Sequence, residues 1–152
     1  MRTTDLRTWV FLLFVFSLLG TVAELLMLDH RDSFTKWIPF GVFAIGLVAT
    51  AFVALRATPL TMNVFRAVMV LFVATGIAGV YFHYRGNVEF EVEMSPALKG
   101  WALIRGALTG ATPTLAPGAM SQIGLLGLLF TWRHPALTAR RGAPRQQSEI
   151  TV

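Results

Sequence analysis

The residues of this chain best suited to chemistry are one glutamate and two histidines. Glu24 is the only ionisable residue in the apolar run from Trp9 to Leu28. A carboxylate in such a run is costly in lipid, so it usually faces a bundle interior, water or an opposite charge. His30 and His83 lie just beyond the ends of two apolar runs. Imidazole and carboxylate groups together can ligate zinc or copper, or transfer protons near neutral pH.

Each of these groups also has a structural interpretation. The Glu24 side chain can reach the membrane interface or pair with a cation. The cations available for such pairing are Lys36, Arg85 and Arg105. Histidines at a membrane interface are solvated by default. No metal-binding spacing such as His-x-x-x-His is present in the sequence. We therefore predict no cofactor, and whether a metal ion binds is left open. His134, beside Arg133 and Pro135, is interpreted as a helix-end residue.

Signatures of soluble enzymes are missing from the sequence. There is no Gly-rich phosphate loop, nucleophile elbow or His-Glu-x-x-His motif. The chain contains no cysteine, which excludes disulfides, thiolate metal sites and iron–sulfur clusters. The net charge of +5 is attributed to arginines beside anionic lipid and not to a nucleic-acid surface. We therefore predict a protein that is not an enzyme and has no nucleic-acid partner.

Four apolar runs must position these groups, and each is long enough to cross a bilayer. A spanning helix needs about 20 residues at a rise of about 1.5 Å each. Hydrophobic residues make up 55% of the chain and charged residues 14%, against about 25% charged in soluble domains. We predict an all-α membrane protein, a four-helix up-down bundle that forms one domain over residues 1–135. Its transmembrane helices are predicted at residues 9–28, 37–55, 64–82 and 115–132.

The distribution of basic residues predicts the orientation in the cell (inner) membrane. With both termini cytoplasmic, that side carries Arg2, Arg7, Arg56, Arg66, Arg133, Arg140, Arg141 and Arg145. The opposite side carries Arg31, Lys36, Arg85, Lys99 and Arg105. The excess on the first side favours this multi-pass topology. The tail of residues 136–152 is predicted to be a disordered cytoplasmic segment because of its Arg, Gln, Ser and Gly content.

A signal peptide is the main alternative for the first run. Arg2 and Arg7, the apolar stretch and Thr21-Val22-Ala23 before Glu24 together resemble a cleavable leader. Apolar character resumes from Leu25 to Leu28, which makes the run a full span, so we favour a retained helix.

The external loop, residues 83–114, is the only connection large enough to carry structure of its own. From Asn87 to Met94 polar and apolar residues alternate, which predicts a short strand with Glu89, Glu91 and Glu93 on one face. Ser95-Pro96 then predicts a helix start and Gly110 a helix end. The apolar stripe of this helix predicts that it lies in the membrane interface, although a re-entrant path is an alternative. The stripe consists of Leu98, Trp101, Ile104 and Leu108.

Small residues predict close helix packing within the bundle or with other membrane proteins. Gly46, Thr50 and Ala54 repeat at four-residue spacing, and Thr75 and Gly79 do the same in the third span. Gly124 and Gly127 have no side chains, so another helix can approach the last span closely on that side. Gln122 of the same span could hydrogen-bond across the bundle. Self-association is permitted by these faces but is not required.

Two functions remain open from the sequence. The favoured one is a structural or accessory subunit that packs with partner membrane proteins and presents the external loop, with Val88, Phe90, Val92 and Trp101 as contact residues. The alternative is a small transporter or ion-handling or metal-handling protein. Its candidate residues are Glu24, His30, His83, Glu89, Glu91 and Glu93.

Overall fold

A computed structural model of the chain describes residues 3–27, 37–110 and 112–138, and it is helical. Six helices follow one another in these described ranges: α1 (Thr3–Met27), α2 (Ile38–Leu55), α3 (Pro59–Met94), α4 (Gly100–Thr109), α5 (Gly118–Thr131) and α6 (Pro135–Thr138). The loop with His30, Asp29 and Asp32, and the tail beyond residue 138, lie outside the described residues. The predicted tail begins inside α6.

Three of these helices are long and apolar enough to cross a membrane. They are α1, α2 and α3, and α5 is a shorter apolar helix of 14 residues. Side chains such as Phe16, Phe52 and Ile77 point away from the bundle and are more than half exposed. A surface of this kind is expected of helices that contact lipid, which agrees with the predicted membrane location.

The turn between α2 and α3 is formed around Thr58-Pro59. Thr58 is the N-cap of α3, and its hydroxyl accepts a hydrogen bond from the Thr61 backbone N–H at 3.2 Å. The Thr61 hydroxyl in turn accepts one from the Thr58 backbone N–H at 2.9 Å, which completes a capping box. Because only three residues link the helices, α2 and α3 pack as neighbours.

The predicted strand is wrong: residues 87–94 are the last two turns of α3. Within the described residues no strand is present at all. The helix continues through Phe82 because no proline or capping signal interrupts the chain between His83 and Met94, and adding residues to an existing helix is favourable. The alternation of polar and apolar residues in this segment was therefore not sufficient to end the helix and form a strand. Ser95, predicted to start the next helix, is instead the C-cap of α3.

Helix α4 begins later than predicted, at Gly100, which adopts a φ of +61° that suits glycine. Its end is confirmed, since Gly110 is the C-cap. The helix runs antiparallel along the end of α3, because Gly106 lies against Glu91 and Gly110 against Asn87. We call residues 83–110 the hairpin extension. That it lies at the membrane interface stays a prediction.

Aromatic and methionine side chains fill the core between α1, α2, α3 and α5. The rings of Phe14 and Phe65 meet edge to face at a centroid distance of 5.5 Å, and those of Phe43 and Phe72 do so at 5.2 Å. All four are nearly fully buried. Edge-to-face packing adds to the gain from burial, so these contacts fix the relative positions of the helices.

Helices α3 and α5 form the most extensive interface, and glycines let them approach closely. A Cβ on Gly124 would lie 2.6 Å from the Met69 carbonyl oxygen, and one on Gly79 would lie 2.6 Å from the Pro117 Cβ. Gly46 faces the Phe72 ring in the same way. The predicted small-residue faces thus serve packing within the chain, although Ala54 is exposed.

Candidate functional site

A buried asparagine holds the hairpin extension to the break between α4 and α5. Asn87 is only 2% exposed, and its amide nitrogen lies 2.9 Å from the Ala107 carbonyl oxygen, 2.7 Å from that of Thr112 and 2.9 Å from the Thr114 hydroxyl. Its amide oxygen accepts from the Thr112 backbone N–H at 3.2 Å and from the Thr112 hydroxyl at 2.6 Å. One side chain therefore joins three segments of the chain.

Thr114 completes this network, which we call the Asn87 clamp (Asn87, Ala107, Thr112 and Thr114). The Thr114 hydroxyl donates to the Ala107 carbonyl oxygen at 2.8 Å while it accepts from Asn87. Among the described residues no buried side-chain nitrogen or oxygen lacks a partner. Satisfied buried networks of this kind specify one arrangement of the backbone. The clamp thus makes the hairpin extension a defined structural unit.

His83 lies one turn before the clamp, beside the break. Its Nδ1 is 3.2 Å from the Pro113 carbonyl oxygen, so this nitrogen carries the proton and donates to the carbonyl. The side chain is partly buried against the segment that leads into α5. This contact gives His83 a structural role at the junction, whichever further role it has.

The helical geometry separates the three carboxylates that the strand prediction placed on one face. At about 100° per residue, Glu89 and Glu93 share a face and Glu91 lies on nearly the opposite one. Glu91 contacts Gly106 of α4, whereas Glu89 pairs with Arg85 at 3.2 Å on the exposed surface. Such an exposed i,i+4 pair contributes only a few tenths of a kcal/mol. The predicted row of carboxylates is therefore not formed.

Glu24 borders a groove of about 280 Å³ between α1 and α5. Ser17 and Thr21 line it from α1, and Gln122 lines it from α5. The Glu24 side chain is exposed, and it makes no ion pair with any residue that the structure describes. Gln122 likewise forms no cross-bundle hydrogen bond within the described chain. The pairing of Glu24 with Arg85 or Arg105 is not observed.

No group of three or more metal-ligating side chains occurs in the described part of the chain. Glu24 belongs to the α1–α5 groove, whereas His83 belongs to the α3 junction. His30, the third member of the predicted ion site, lies outside the described residues. The convergence of these three groups stays a prediction.

The predicted partner-contact residues remain accessible on the hairpin extension. Phe90 is 46% exposed, Val92 is 42% exposed and Trp101 is 75% exposed, whereas Val88 is half-buried. Along α4 the buried residue is Ala107, so the stripe of Trp101, Ile104 and Leu108 faces away from α3. Small residues make the contact with α3, and the large apolar ones are left exposed.

His134, at the opposite end of the molecule, lies at the end of a helix, but this is the start of α6 and not the end of the last predicted span. Its Nδ1 accepts a hydrogen bond from the Ala136 backbone N–H at 3.2 Å, so it caps the short helix α6. Its ring lies 5.4 Å from that of Phe130. Burial lowers the pKa of this imidazole, and the positive charge of Arg7 lowers it further. Both effects favour the neutral form of His134.

Sequence reasoning missed Asn87, which it treated only as the first residue of a strand. An asparagine inside a helix has low propensity, and this was the available signal that its side chain bonds elsewhere. Its partners lie 20 to 27 residues away, and spacing alone does not reveal such contacts.

Comparisons with protein-family models, curated proteins and solved structures found no match for this chain.

Proposed function

We propose that the protein is an accessory subunit of a membrane assembly, in which the bundle packs in the bilayer and the hairpin extension contacts a partner protein. In this proposal both termini are cytoplasmic and the hairpin extension lies on the other side of the membrane, as the arginine distribution favours. The observation that carries the proposal is a clamped helical hairpin that exposes large apolar side chains beyond the membrane-spanning length of α3.

The length of α3 supports this arrangement. Its 36 residues extend about 54 Å, whereas the hydrocarbon core is about 30 Å thick. The 18 residues of α2 extend about 27 Å, and the tight turn places the start of α3 level with the end of α2. The excess length of α3 therefore lies at its C-terminal end, where α4 packs against it.

Exposed apolar side chains on that extension are the second support. Phe90 and Met94 lie one turn apart on α3, and Trp101 lies on α4. In water these side chains would be costly to leave uncovered, and aromatic residues are enriched at the centres of protein interfaces. A partner surface that covers them would gain from their burial.

Photo-crosslinking at single positions tests the proposal in the native membrane. A benzophenone amino acid is placed at Phe90, at Trp101 or, as a control, at Phe52 in the middle of α2. We expect the same partner to be crosslinked from Phe90 and Trp101, and only lipid or nothing from Phe52. Crosslinks to no protein from either extension position, or to the same protein from all three, would contradict the proposal.

A second candidate function is ion or proton handling, and the groove beside Glu24 is the observation that favours it. A carboxylate accompanied by Ser17, Thr21 and Gln122 gives a polar patch on apolar helices, where polar groups usually have a function. The variant Glu24→Gln, which leaves the contact between His83 and Pro113 in place, separates the candidates. Ion or proton flux into vesicles should be lost if the groove conducts, whereas crosslinking from Phe90 should be unchanged if the protein is an accessory subunit.

A further inference from the structure

A second concave site lies at the end of the bundle opposite the hairpin extension. It is a pocket of about 540 Å³ between the start of α3, the end of α5 and α6, a size within the range of sites for small ligands. Its walls are both polar and apolar. Its lining includes Asn63, Arg66, Leu128, Trp132, Arg133 and Leu137.

Two guanidinium groups line this pocket, and none of its described lining residues is acidic. Within the part of the chain that the structure describes, neither Arg66 nor Arg133 forms an ion pair. Arg7 adds a third positive charge nearby, since its guanidinium donates to the Arg133 carbonyl oxygen at 3.2 Å. Arg66 lies seven residues into α3, about 10 Å from its start, where a charge in a spanning helix is costly. An anion in the pocket would offset that cost.

The backbone at Arg133 is strained. Its φ of +50° lies in the left-handed region, and it is the only non-glycine residue with positive φ among those described. Arg133 follows the C-cap of α5, where glycine is the usual residue. An arginine there costs of order 1 kcal/mol relative to glycine, and strained residues of this kind concentrate at binding sites. Packing does not explain why an arginine occupies this position, because Arg133 is exposed.

We propose that this pocket binds the phosphate of an anionic phospholipid headgroup, with Arg66 and Arg133 as its ligands. Guanidinium groups bind phosphate oxygens through paired, charge-assisted hydrogen bonds. The apolar walls formed by Leu128, Trp132 and Leu137 favour a lipid over a free anion, because they would contact the glycerol and the first methylenes of the acyl chains. The site is independent of the partner surface on the hairpin extension.

The experiment uses the full chain in mild detergent and three variants. Arg66→Gln removes one ligand, and Arg133→Gly removes the other while it relieves the backbone strain. Arg56→Ala is the matched control, because Arg56 lies at the same end of the bundle but does not line the pocket. Native mass spectrometry measures retention of phosphatidylglycerol against phosphatidylcholine. Thermal unfolding measures stabilisation by phosphatidylglycerol and, separately, by inorganic phosphate.

We expect the natural chain and Arg56→Ala to retain phosphatidylglycerol in preference to phosphatidylcholine. Arg66→Gln and Arg133→Gly should each weaken this retention about ten-fold or more, since a hydrogen bond to a charged group contributes that much. Arg133→Gly should unfold at the same temperature as the natural chain or a higher one, which shows that loss of binding is not loss of fold.

Four outcomes would overturn the proposal. The first is equal retention of the two lipids by the natural chain, and the second is unchanged retention by both pocket variants. The third is a loss in Arg56→Ala as large as in the pocket variants, which would show nonspecific attraction to the basic end. The fourth is stabilisation by inorganic phosphate as strong as that by the lipid, which would make the free anion the ligand.

Discussion

Asn87 is the residue on which the position of the hairpin extension depends. Its amide lies within hydrogen-bonding distance of two carbonyl groups, two hydroxyl groups and one backbone N–H, all at a site from which water is largely excluded. Removing a side chain of this kind leaves several polar groups without partners, and each unsatisfied buried group costs about 1 to 3 kcal/mol.

We predict that Asn87→Ala destabilises the protein by about 2 kcal/mol or more. The matched control is Asn63→Ala, because Asn63 is the other asparagine of the chain and is exposed on the same helix. Its effect should stay within about 0.5 kcal/mol. Thermal unfolding in detergent measures both changes, and limited proteolysis should show faster cleavage near Pro113 in the first variant only. Equal stability of the two variants would contradict a structural role for the clamp.

His134 predicts a dependence of stability on pH. Because its pKa is lowered in the folded protein, the unfolded chain binds more protons as the pH falls below the ordinary value of 6.5. The free energy of unfolding should therefore be highest above about pH 6.5 and decrease as the pH falls from there towards the lowered pKa. Protonation at Nδ1 would also remove the acceptor for the Ala136 N–H.

The variant His134→Asn tests this dependence, because asparagine is a good N-cap but does not titrate. The fall in unfolding temperature between pH 7.5 and pH 5 should be smaller in this variant than in the natural chain. The same fall in both proteins would assign the pH dependence to other groups.

At the scale of elements, the extension of α3 makes a prediction that distinguishes a helix from a strand. The chain contains no cysteine, so single cysteines can be placed at each position from His83 to Met94 without a background signal. Labelling by a maleimide reagent should rise and fall with a period of 3.6 residues and be low at Glu91, which faces α4. Asn87 itself is left unchanged, because its replacement would break the clamp. An alternation with a period of two would contradict the helix.

The close contact between α3 and α5 makes a second prediction at this scale. In Gly124→Ala the new Cβ would lie 2.6 Å from the Met69 carbonyl oxygen, a backbone atom that cannot move alone. We expect a loss of about 1 to 3 kcal/mol in the free energy of unfolding.

The control is Gly20→Ala, since no atom lies within 4 Å of a Cβ at that helical position. Alanine should be neutral there or should stabilise α1 by about 0.5 to 1 kcal/mol. Thermal unfolding that ranks the two variants in the reverse order would show that the α3–α5 contact is not close-packed.

At the scale of the whole molecule, the two ends of the bundle differ in chemistry. One end carries the clamped hairpin with exposed aromatic residues, and the other carries arginines from α1, α3 and the α5–α6 connection. Because basic residues are usually retained on the cytoplasmic side during membrane insertion, the proposed topology places the arginine-bearing end in the cytoplasm.

We therefore predict opposite accessibility of single cysteines at the two ends. In intact cells an impermeant maleimide should label Arg85→Cys on the hairpin extension but not Ala57→Cys in the α2–α3 turn. After lysis both positions should react, which serves as the control. Labelling of Ala57→Cys alone in intact cells would reverse the proposed topology.

The sequence by itself determined the helical, apolar character of the chain and the approximate positions of α1, α2, α5 and the apolar middle of α3. These features follow from composition and from the lengths of the apolar runs. The Gly110 end of α4 follows from a local signal that acts over a few residues. The exposed apolar residues of the loop were also evident, although their secondary structure was assigned wrongly.

Only the tertiary structure decided where α3 ends, how α4 is oriented and which polar groups meet. A period of two over eight residues favours a strand locally. However, extending the helix that begins at Pro59 is easier than starting a new strand that has no partner strand. The Asn87 clamp and the arginine-lined pocket bring together residues that are distant in the chain. Such contacts depend on the packing of whole helices, so they leave no periodic pattern in the sequence.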